Sequence, residues 1–165
     1  MNTIDLLLES KNPNDVYSVL IDIGKQGLYE YEEKVWKLLE HEEEEVRRGA
    51  VMVLSTYWSR REFISKAHEI WNNDPDELVC VTALIGWFAY FHNTSDKSIL
   101  NELNQVLRDE SLDFDLRKEA FRGIFVVKGL AVPESVIDRL DFVYTKEDFH
   151  DRIPWEEVDE MFRED

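Results

Sequence analysis

The sequence has few of the residues that interrupt or cross-link a chain. It contains one cysteine, four prolines and six glycines in 165 residues. The lone Cys80 excludes an internal disulfide, and no stretch rich in Pro, Gly or Ser marks a linker. No apolar run approaches the roughly twenty residues that a membrane-spanning helix needs. We therefore expect a single continuously folded domain over residues 1–165.

Basic residues are also scarce. Nineteen Lys and Arg stand against thirty-six Asp and Glu, which gives a formal net charge of −17. Such a charge repels nucleic-acid phosphates and anionic membrane surfaces, and it attracts a basic protein partner. Cys80 lies in the apolar run 78–81, as expected of a reduced, buried thiol. The first ten residues lack the basic start and apolar stretch of a secretion signal, so we expect a cytoplasmic protein.

Apolar residues recur at helical spacing from Val16 to about Lys128, and turn signals interrupt them every dozen or so residues. The predicted helices cover 3–8, 13–27, 28–39, a segment starting in 42–45, 61–71, 78–91, a segment starting at 95 or 96, 113–128 and, more weakly, 134–143 and 155–162. Helix starts are predicted at Asn12, Asp74 and Asp113, and helix ends at Gly27 and Gly129. The segment 78–91 is the most apolar and is expected to be central.

Three of these helices share one pattern, in which a branched apolar anchor is followed four positions later by alanine. The pairs are Val46 with Ala50, Val79 with Ala83, and Leu116 with Ala120. The anchors are separated by 33 and 37 residues, which suits stacked pairs of helices. An acid stands three positions before each anchor. The position directly after the anchor holds Arg47, Cys80 or Arg117. An acid and an arginine at this spacing of four are expected to pair on the helix surface.

This pattern resembles the HEAT-repeat family, whose second helix typically carries an acid, a Val-Arg pair and then alanine. The resemblance covers about residues 30–129, with further helices expected over 134–165. It implies an all-α fold, a short right-handed α-α superhelix (α-solenoid) of three to four HEAT-like helical hairpins. Cys80 stands where the family pattern has arginine, so a continuous ladder of acids and arginines is not expected there.

Two His-Glu pairs are similar to those with which HEAT-like deoxyhypusine hydroxylases hold iron. His41 lies five residues before its anchor, whereas His68 lies eleven before the next. The two pairs therefore occupy different places in their repeats, and we interpret them as surface histidines. The sequence has no Gly-rich phosphate loop, no nucleophile elbow and no zinc-ligand spacing. We expect no catalytic residues, no metal and no cofactor.

A second apolar stripe lies five, nine and twelve residues past each anchor. Its members are Val51, Trp58, Leu84, Phe88, Phe91, Phe121 and Phe125. One interpretation makes them the partner-binding floor of a concave groove, because aromatic side chains dominate binding energy. The other makes them core, because central helices of a solenoid are buried on several sides. The core interpretation is favoured, and the sequence leaves the groove interpretation open.

The sequence also contains two clusters of acidic residues. They supply the residues of a predicted acidic rim, namely Glu42, Glu43, Glu44, Glu45, Glu156 and Glu157. Clusters of this kind are most often solvated helix ends, and the alternative is a surface offered to Lys and Arg of a partner. Trp155 and Phe162 share one face of the last predicted helix, which is expected to pack through them.

The expected function is that of a non-catalytic protein-binding module, specifically an acidic, immunity-type inhibitor of a basic protein such as a bacterial toxin. It follows from the charge, the small size and the family resemblance, since small HEAT-like proteins serve that role. Two alternatives remain: a chromophore-lyase-like HEAT protein that binds a small molecule, and a subunit of an oligomeric scaffold. A monomer is favoured over the oligomer.

Overall fold

The computed structural model describes residues 3–134, 140 and 145–163, and these residues are helical without any strand. The α-helices in these ranges are α1 Thr3–Leu8, α2 Pro13–Gln26, α3 Glu32–Leu38, α4 Glu44–Met52, α5 Ile64–Asn73, α6 Glu77–Ala89, α7 Lys97–Arg108, α8 Phe114–Lys128, α9 Lys146–Arg152 and α10 Trp155–Arg163. Most of the helix predicted over 134–143 lies outside the described residues. Within them, every helix is too short or too polar to cross a bilayer.

Local side-chain chemistry fixes the ends of several helices as the sequence predicts. The Asn12 side chain accepts a hydrogen bond from the backbone N–H of Asn14 at the start of α2, and Gly27 ends that helix with a φ of 64°. Asp113 likewise starts α8, and Gly129 ends it with a φ of 68°. A left-handed residue after the last turn is where glycine is preferred, because it has no Cβ to strain.

The start of α6 and the end of α4 differ from the prediction. Asp76, not Asp74, accepts the hydrogen bond from the backbone N–H of Val79 and caps α6. After Met52 the chain continues as a π-helical turn over Val53–Tyr57. Such a turn widens the helix by one residue and is found mostly as a single bulge.

The chain forms two compact units, residues 1–92 and residues 93–165. In the first unit, α1 packs against α2, α3 against α4, and α5 against α6. The second members of these pairs also pack on each other, α2 on α4 and α4 on α6. The anchor residues Val46 and Val79 and the alanines Ala50 and Ala83 are all 0% exposed. In α4 and α6, the anchor and the alanine four positions later are therefore both buried, as expected of helices that pack through this pattern.

Gly86 of α6 is a point of close approach in the first unit. A Cβ added there would lie 2.5 Å from the Cβ of Ser55, which is buried in the π-helical turn. Alanine at this position must therefore push two helices apart.

We expect Gly86→Ala to lower the free energy of unfolding by about 1–3 kcal/mol, the usual cost of overpacking a core. This loss outweighs the helix-propensity gain of up to about 1 kcal/mol that alanine brings. Gly49→Ala is the matched control, because the nearest atoms to its added Cβ are side-chain atoms of Leu20 at 3.0 Å and Tyr17 at 3.1 Å, a looser approach than the 2.5 Å at Gly86. Urea unfolding of both variants measures the difference, and Ser55→Gly in the Gly86→Ala background should recover stability. Equal stability of the two single variants would contradict the close approach.

In the second unit, α7 packs against α8, and α9 also packs against α8. Ala120, the alanine that follows the anchor Leu116, is 0% exposed. The sequence pattern does not predict α9. Its start is marked by Thr145, whose side chain accepts a hydrogen bond from the backbone N–H of Asp148 at 3.1 Å. α9 places Phe149 in the core of this unit, where it is fully buried.

Candidate functional site

The acidic cluster at the start of α4 lies on the surface of the first unit. Glu42, Glu43 and Glu44 are exposed, and Glu45 is half-buried because it pairs with Arg48 at 2.7 Å. Arg47, in the same turn, directs its guanidinium to the Asp74 carboxylate and to the backbone carbonyls of His41 and Glu42. The cluster therefore presents negative charge to solvent, as its sequence predicts.

An acidic cleft opens beside this cluster. It is a small cleft of about 60 Å³, lined by Glu44, Glu45, Arg48, Asp76 and Leu78. Leu78 is 51% exposed although it belongs to the most apolar helix. The cleft thus brings an exposed leucine and three carboxylates together.

Leu78 begins an exposed strip along α6. Thr82 and Ile85 follow it at four and seven residues, which places all three on one side of a helix. Ile85 is 37% exposed, and Thr82 is half-buried with its hydroxyl donating to the Leu78 carbonyl at 2.7 Å. We call these three residues the α6 strip. The other faces of α6 are buried, as expected of a central helix, whereas the side that carries the α6 strip is exposed.

The predicted groove residues are placed in the core. Their exposed fractions are 0% for Val51, Leu84 and Phe121, 7% for Trp58, 4% for Phe88 and 3% for Phe125, and Phe91 is half-buried. Side chains with so little accessible surface offer almost no area to a partner. The packing of the anchor helices on several sides accounts for this burial, so the assignment of these residues to a groove floor is replaced by the core interpretation.

The arginine after the first anchor does not pair with the acid four residues earlier. Arg47 donates from Nε and Nη2 to the two carboxylate oxygens of Asp74, both at 2.9 Å, and from Nη1 to the His41 carbonyl. The hydrogen bond with Asp74 raises the pKa of the Arg47 guanidinium. The predicted surface pair with Glu43 is thus replaced by a half-buried bridge between two consecutive helix pairs.

The residues that follow the other two anchors make related contacts. The Cys80 thiol donates to the Asp74 carbonyl at 3.2 Å, and Arg117 donates from Nε to the Leu107 carbonyl at 2.9 Å. In each case the residue after the anchor contacts a carbonyl group near the end of the preceding helix. Burial raises the pKa of Cys80 to about 11, so its thiol is protonated at neutral pH and is a poor nucleophile.

The two His-Glu pairs lie in different surroundings. His41 accepts a hydrogen bond at Nδ1 from the backbone N–H of Glu43, at 3.1 Å. The ring of His68 packs against Trp71 and Trp87, with centroid distances of 5.5 and 5.2 Å. Each imidazole therefore has a structural contact of its own.

The other part of the predicted acidic rim lies in the second unit. Glu156 and Glu157 are exposed on the first turn of α10, where they favour the positive end of the helix dipole. The same helix buries Val158 fully and leaves Trp155 and Phe162 half-buried. Glu156 and Glu157 face solvent as predicted, whereas Asp159 pairs with Arg108 at 2.6 Å. The fully buried apolar residue of this helix is Val158, and the predicted Trp155 and Phe162 are covered only in part.

The acidic cleft and the α6 strip share Leu78, and together they form a surface of the first unit that combines carboxylates with exposed apolar side chains. The acids were visible in the sequence, but the strip was not, because α6 is apolar on every side and its sequence does not reveal which side is uncovered. A scan against protein-family models, a search of curated proteins and a search of solved structures each find no match to this chain.

Proposed function

We propose that this protein is a non-catalytic binding module that receives a basic segment of a partner protein at the acidic cleft and the α6 strip. The observation that carries the proposal is the exposure of Leu78 at the edge of a carboxylate-lined cleft. Binding surfaces typically combine an apolar centre with a polar rim. A partner segment with apolar side chains on one side and Lys or Arg on the other matches both parts.

Charge favours a basic partner over other classes. The net charge of −17 speeds the encounter with a cationic protein, and salt screens that attraction. Glu44 at the cleft and its neighbours Glu42 and Glu43 are exposed and can receive Lys or Arg side chains. We therefore expect binding that weakens as the salt concentration rises.

The specific form that we favour is a cytoplasmic, immunity-type inhibitor of a basic protein such as a toxin, built as a HEAT-like right-handed α-solenoid. Support for the solenoid comes from the order of packing in the first unit, where α2, α4 and α6 stack in sequence. The buried anchor and alanine positions support the shared register. The acidic charge and the exposed residues of the α6 strip support inhibition of a basic protein.

The alternatives receive less support. A small-molecule carrier of the chromophore-lyase type requires an open aromatic groove, and six of the seven residues predicted to line it are buried. A scaffold subunit requires a self-complementary surface, whereas an acidic cleft repels its own copy. Sedimentation of the purified protein as a monomer would agree with this preference.

Affinity capture with quantitative mass spectrometry tests the proposal. We expect the wild-type protein to retain at least one basic protein, and Leu78→Ser/Ile85→Ser to weaken that binding at least tenfold because the apolar contact is lost. Glu44→Lys should weaken it to a similar extent through charge repulsion. Isothermal titration of the captured partner at low and high salt then measures the affinities and their salt dependence.

Two matched controls come from the second unit. Leu130→Ser changes another leucine with 50% exposure, and Glu156→Lys reverses another exposed acid in the first turn of a helix. Both should leave the affinity within about twofold. A partner whose binding responds to these controls as strongly as to the cleft variants, or to none of them, would contradict the proposed site.

A further inference from the structure

The second unit contains a buried arginine whose hydrogen-bonding capacity is only partly used. Arg117 is 1% exposed, yet its side chain carries a permanent positive charge. Its Nε donates to the Leu107 carbonyl at 2.9 Å, and its guanidinium lies 5.0 Å from the centroid of the Phe149 ring. Its Nη2 has no hydrogen-bond partner among the described residues. A buried charged donor without an acceptor is unfavourable unless something else satisfies it.

Arg117 lines a cleft of the same unit. The cleft has a volume of about 310 Å³ and is lined by Arg108, Glu110, Arg117, His150 and Trp155. This volume is at the lower end of the usual range for small-molecule sites. Nη2 itself has less than 1 Å² of accessible surface, and this cleft is lined by the residue that carries it.

The other cation of the cleft is already occupied. Arg108 donates to Asp159 at 2.6 Å and to the Asn104 side chain at 2.9 Å, and its guanidinium lies 5.0 Å from the Trp155 ring. The Trp155 indole N–H donates to the His150 carbonyl at 2.9 Å. These contacts fix one wall of the cleft, and they leave Arg117 as the arginine of the cleft that has a buried donor without a hydrogen-bond partner.

We propose that this cleft binds a small monocarboxylate, with Arg117 as the residue that receives the carboxylate group. Arginine presents paired N–H donors that match a carboxylate, and burial strengthens such a hydrogen bond. Glu110 and Asp159 lie at the cleft, and the whole protein is strongly acidic. A dianionic phosphate meets about twice the repulsion of a monocarboxylate in this field, which favours the carboxylate. This site is independent of the proposed protein-binding surface, which lies in the first unit.

The full-length wild-type protein is tested with benzoate and acetate as probes, with phosphate as the competing class and chloride at matched ionic strength as the reference. We expect saturable binding of a carboxylate in NMR titrations, including a shift of the Trp155 indole signal, assigned with Trp155→Phe. The melting temperature should rise with the same concentration dependence, because a ligand that binds the folded state stabilises it. Absence of a saturable carboxylate effect overturns the proposal, and saturation by phosphate alone overturns the choice of ligand class.

Variants assign the site to Arg117. Arg117→Met should weaken carboxylate binding at least tenfold, whereas Arg122→Met, on the same helix but outside the cleft, should change it less than twofold. Arg108→Met should change it less than threefold, since that guanidinium is held by Asp159. If Arg117→Met does not fold, Arg117→Lys keeps the charge but loses the paired donors, and it should still weaken binding about fivefold or more. Unchanged carboxylate affinity in the folded Arg117 variant would overturn the assignment.

Discussion

Replacing Arg47 with methionine should lower the free energy of unfolding by about 3–5 kcal/mol, the usual cost of removing one partner from a buried ion pair. The two side chains of this bridge are only 12% and 8% exposed, for Arg47 and Asp74 respectively. Without the guanidinium, the Asp74 carboxylate loses both of its 2.9 Å hydrogen bonds from Arg47 while it stays largely shielded from water. The carbonyl of His41 also loses a donor.

Urea unfolding of a double-mutant cycle measures this interaction. Asp74→Asn alone should also be destabilising, because it leaves the Arg47 charge without its partner. The double variant Arg47→Met/Asp74→Asn should be more stable than the two separate losses predict when added, since neither charge remains unpaired. Arg48→Met is the matched control: its pair with Glu45 is more exposed and should be worth less than about 1 kcal/mol. A loss for Arg47→Met no larger than that for Arg48→Met would show that the bridge adds little to stability.

This bridge also shows why part of the fold could not be read from the sequence. Asp74-Pro75 has the local chemistry of a helix start, and the sequence predicts that Asp74 caps α6. The carboxylate binds Arg47, which is 27 residues away, and its Oδ1 also accepts the backbone N–H of Asp76, while Asp76 itself caps α6. Local capping rules cannot anticipate a distant guanidinium that competes for this carboxylate.

Where no such competitor exists, the local signals were sufficient. Asn12 and Asp113 cap the helices that they were predicted to start, Asp96 is the cap of the two starts left open at 95 and 96, and Gly27 and Gly129 end their helices. These outcomes depend on backbone N–H groups two or three residues away and on glycine's access to positive φ. They are properties of short segments and need no knowledge of the packing.

The π-helical turn of Val53–Tyr57, in contrast, could not be predicted from local sequence. The hydrogen bond from the Trp58 N–H to the Val53 carbonyl, at 2.9 Å, spans five residues in place of four. Ser55 of this turn lies close to Gly86, and just after the turn the Tyr90 hydroxyl donates to the Arg60 carbonyl at 2.7 Å. Both contacts join segments about thirty residues apart, so periodicity along one helix does not indicate them.

Only the acidic part of the candidate site could be predicted from the sequence, because the exposure of its apolar part depends on packing. The exposed acids of the α4 start follow from their sequence, because a run of carboxylates is hard to bury. The exposure of Leu78 and Ile85 does not, because α6 has apolar residues on all sides and only the packing decides which side remains uncovered. Fully apolar helices are the case in which hydrophobic periodicity carries least information about orientation.

A second large loss of stability is expected when an aromatic residue of the second apolar stripe is truncated. Phe121→Ala should lower the free energy of unfolding by about 3–5 kcal/mol, because it removes a fully buried ring and leaves a cavity. The ring also contacts Phe125 edge-on, with a centroid distance of 5.1 Å, and that contact is lost. The control is Leu130→Ala, which truncates a leucine that is 50% exposed and should change stability by less than about 0.5 kcal/mol.

Urea unfolding of both variants, read alongside the binding assay for the captured partner, separates a core residue from a contact residue. A core phenylalanine changes the unfolding midpoint strongly and leaves the affinity of the remaining folded protein nearly unchanged at a temperature well below the transition. A groove phenylalanine does the reverse, because exposed side chains contribute little to folding and much to an interface. Near-wild-type stability combined with a large loss of affinity for Phe121→Ala would restore the groove interpretation, since a ring that is 0% exposed cannot be removed without a cavity.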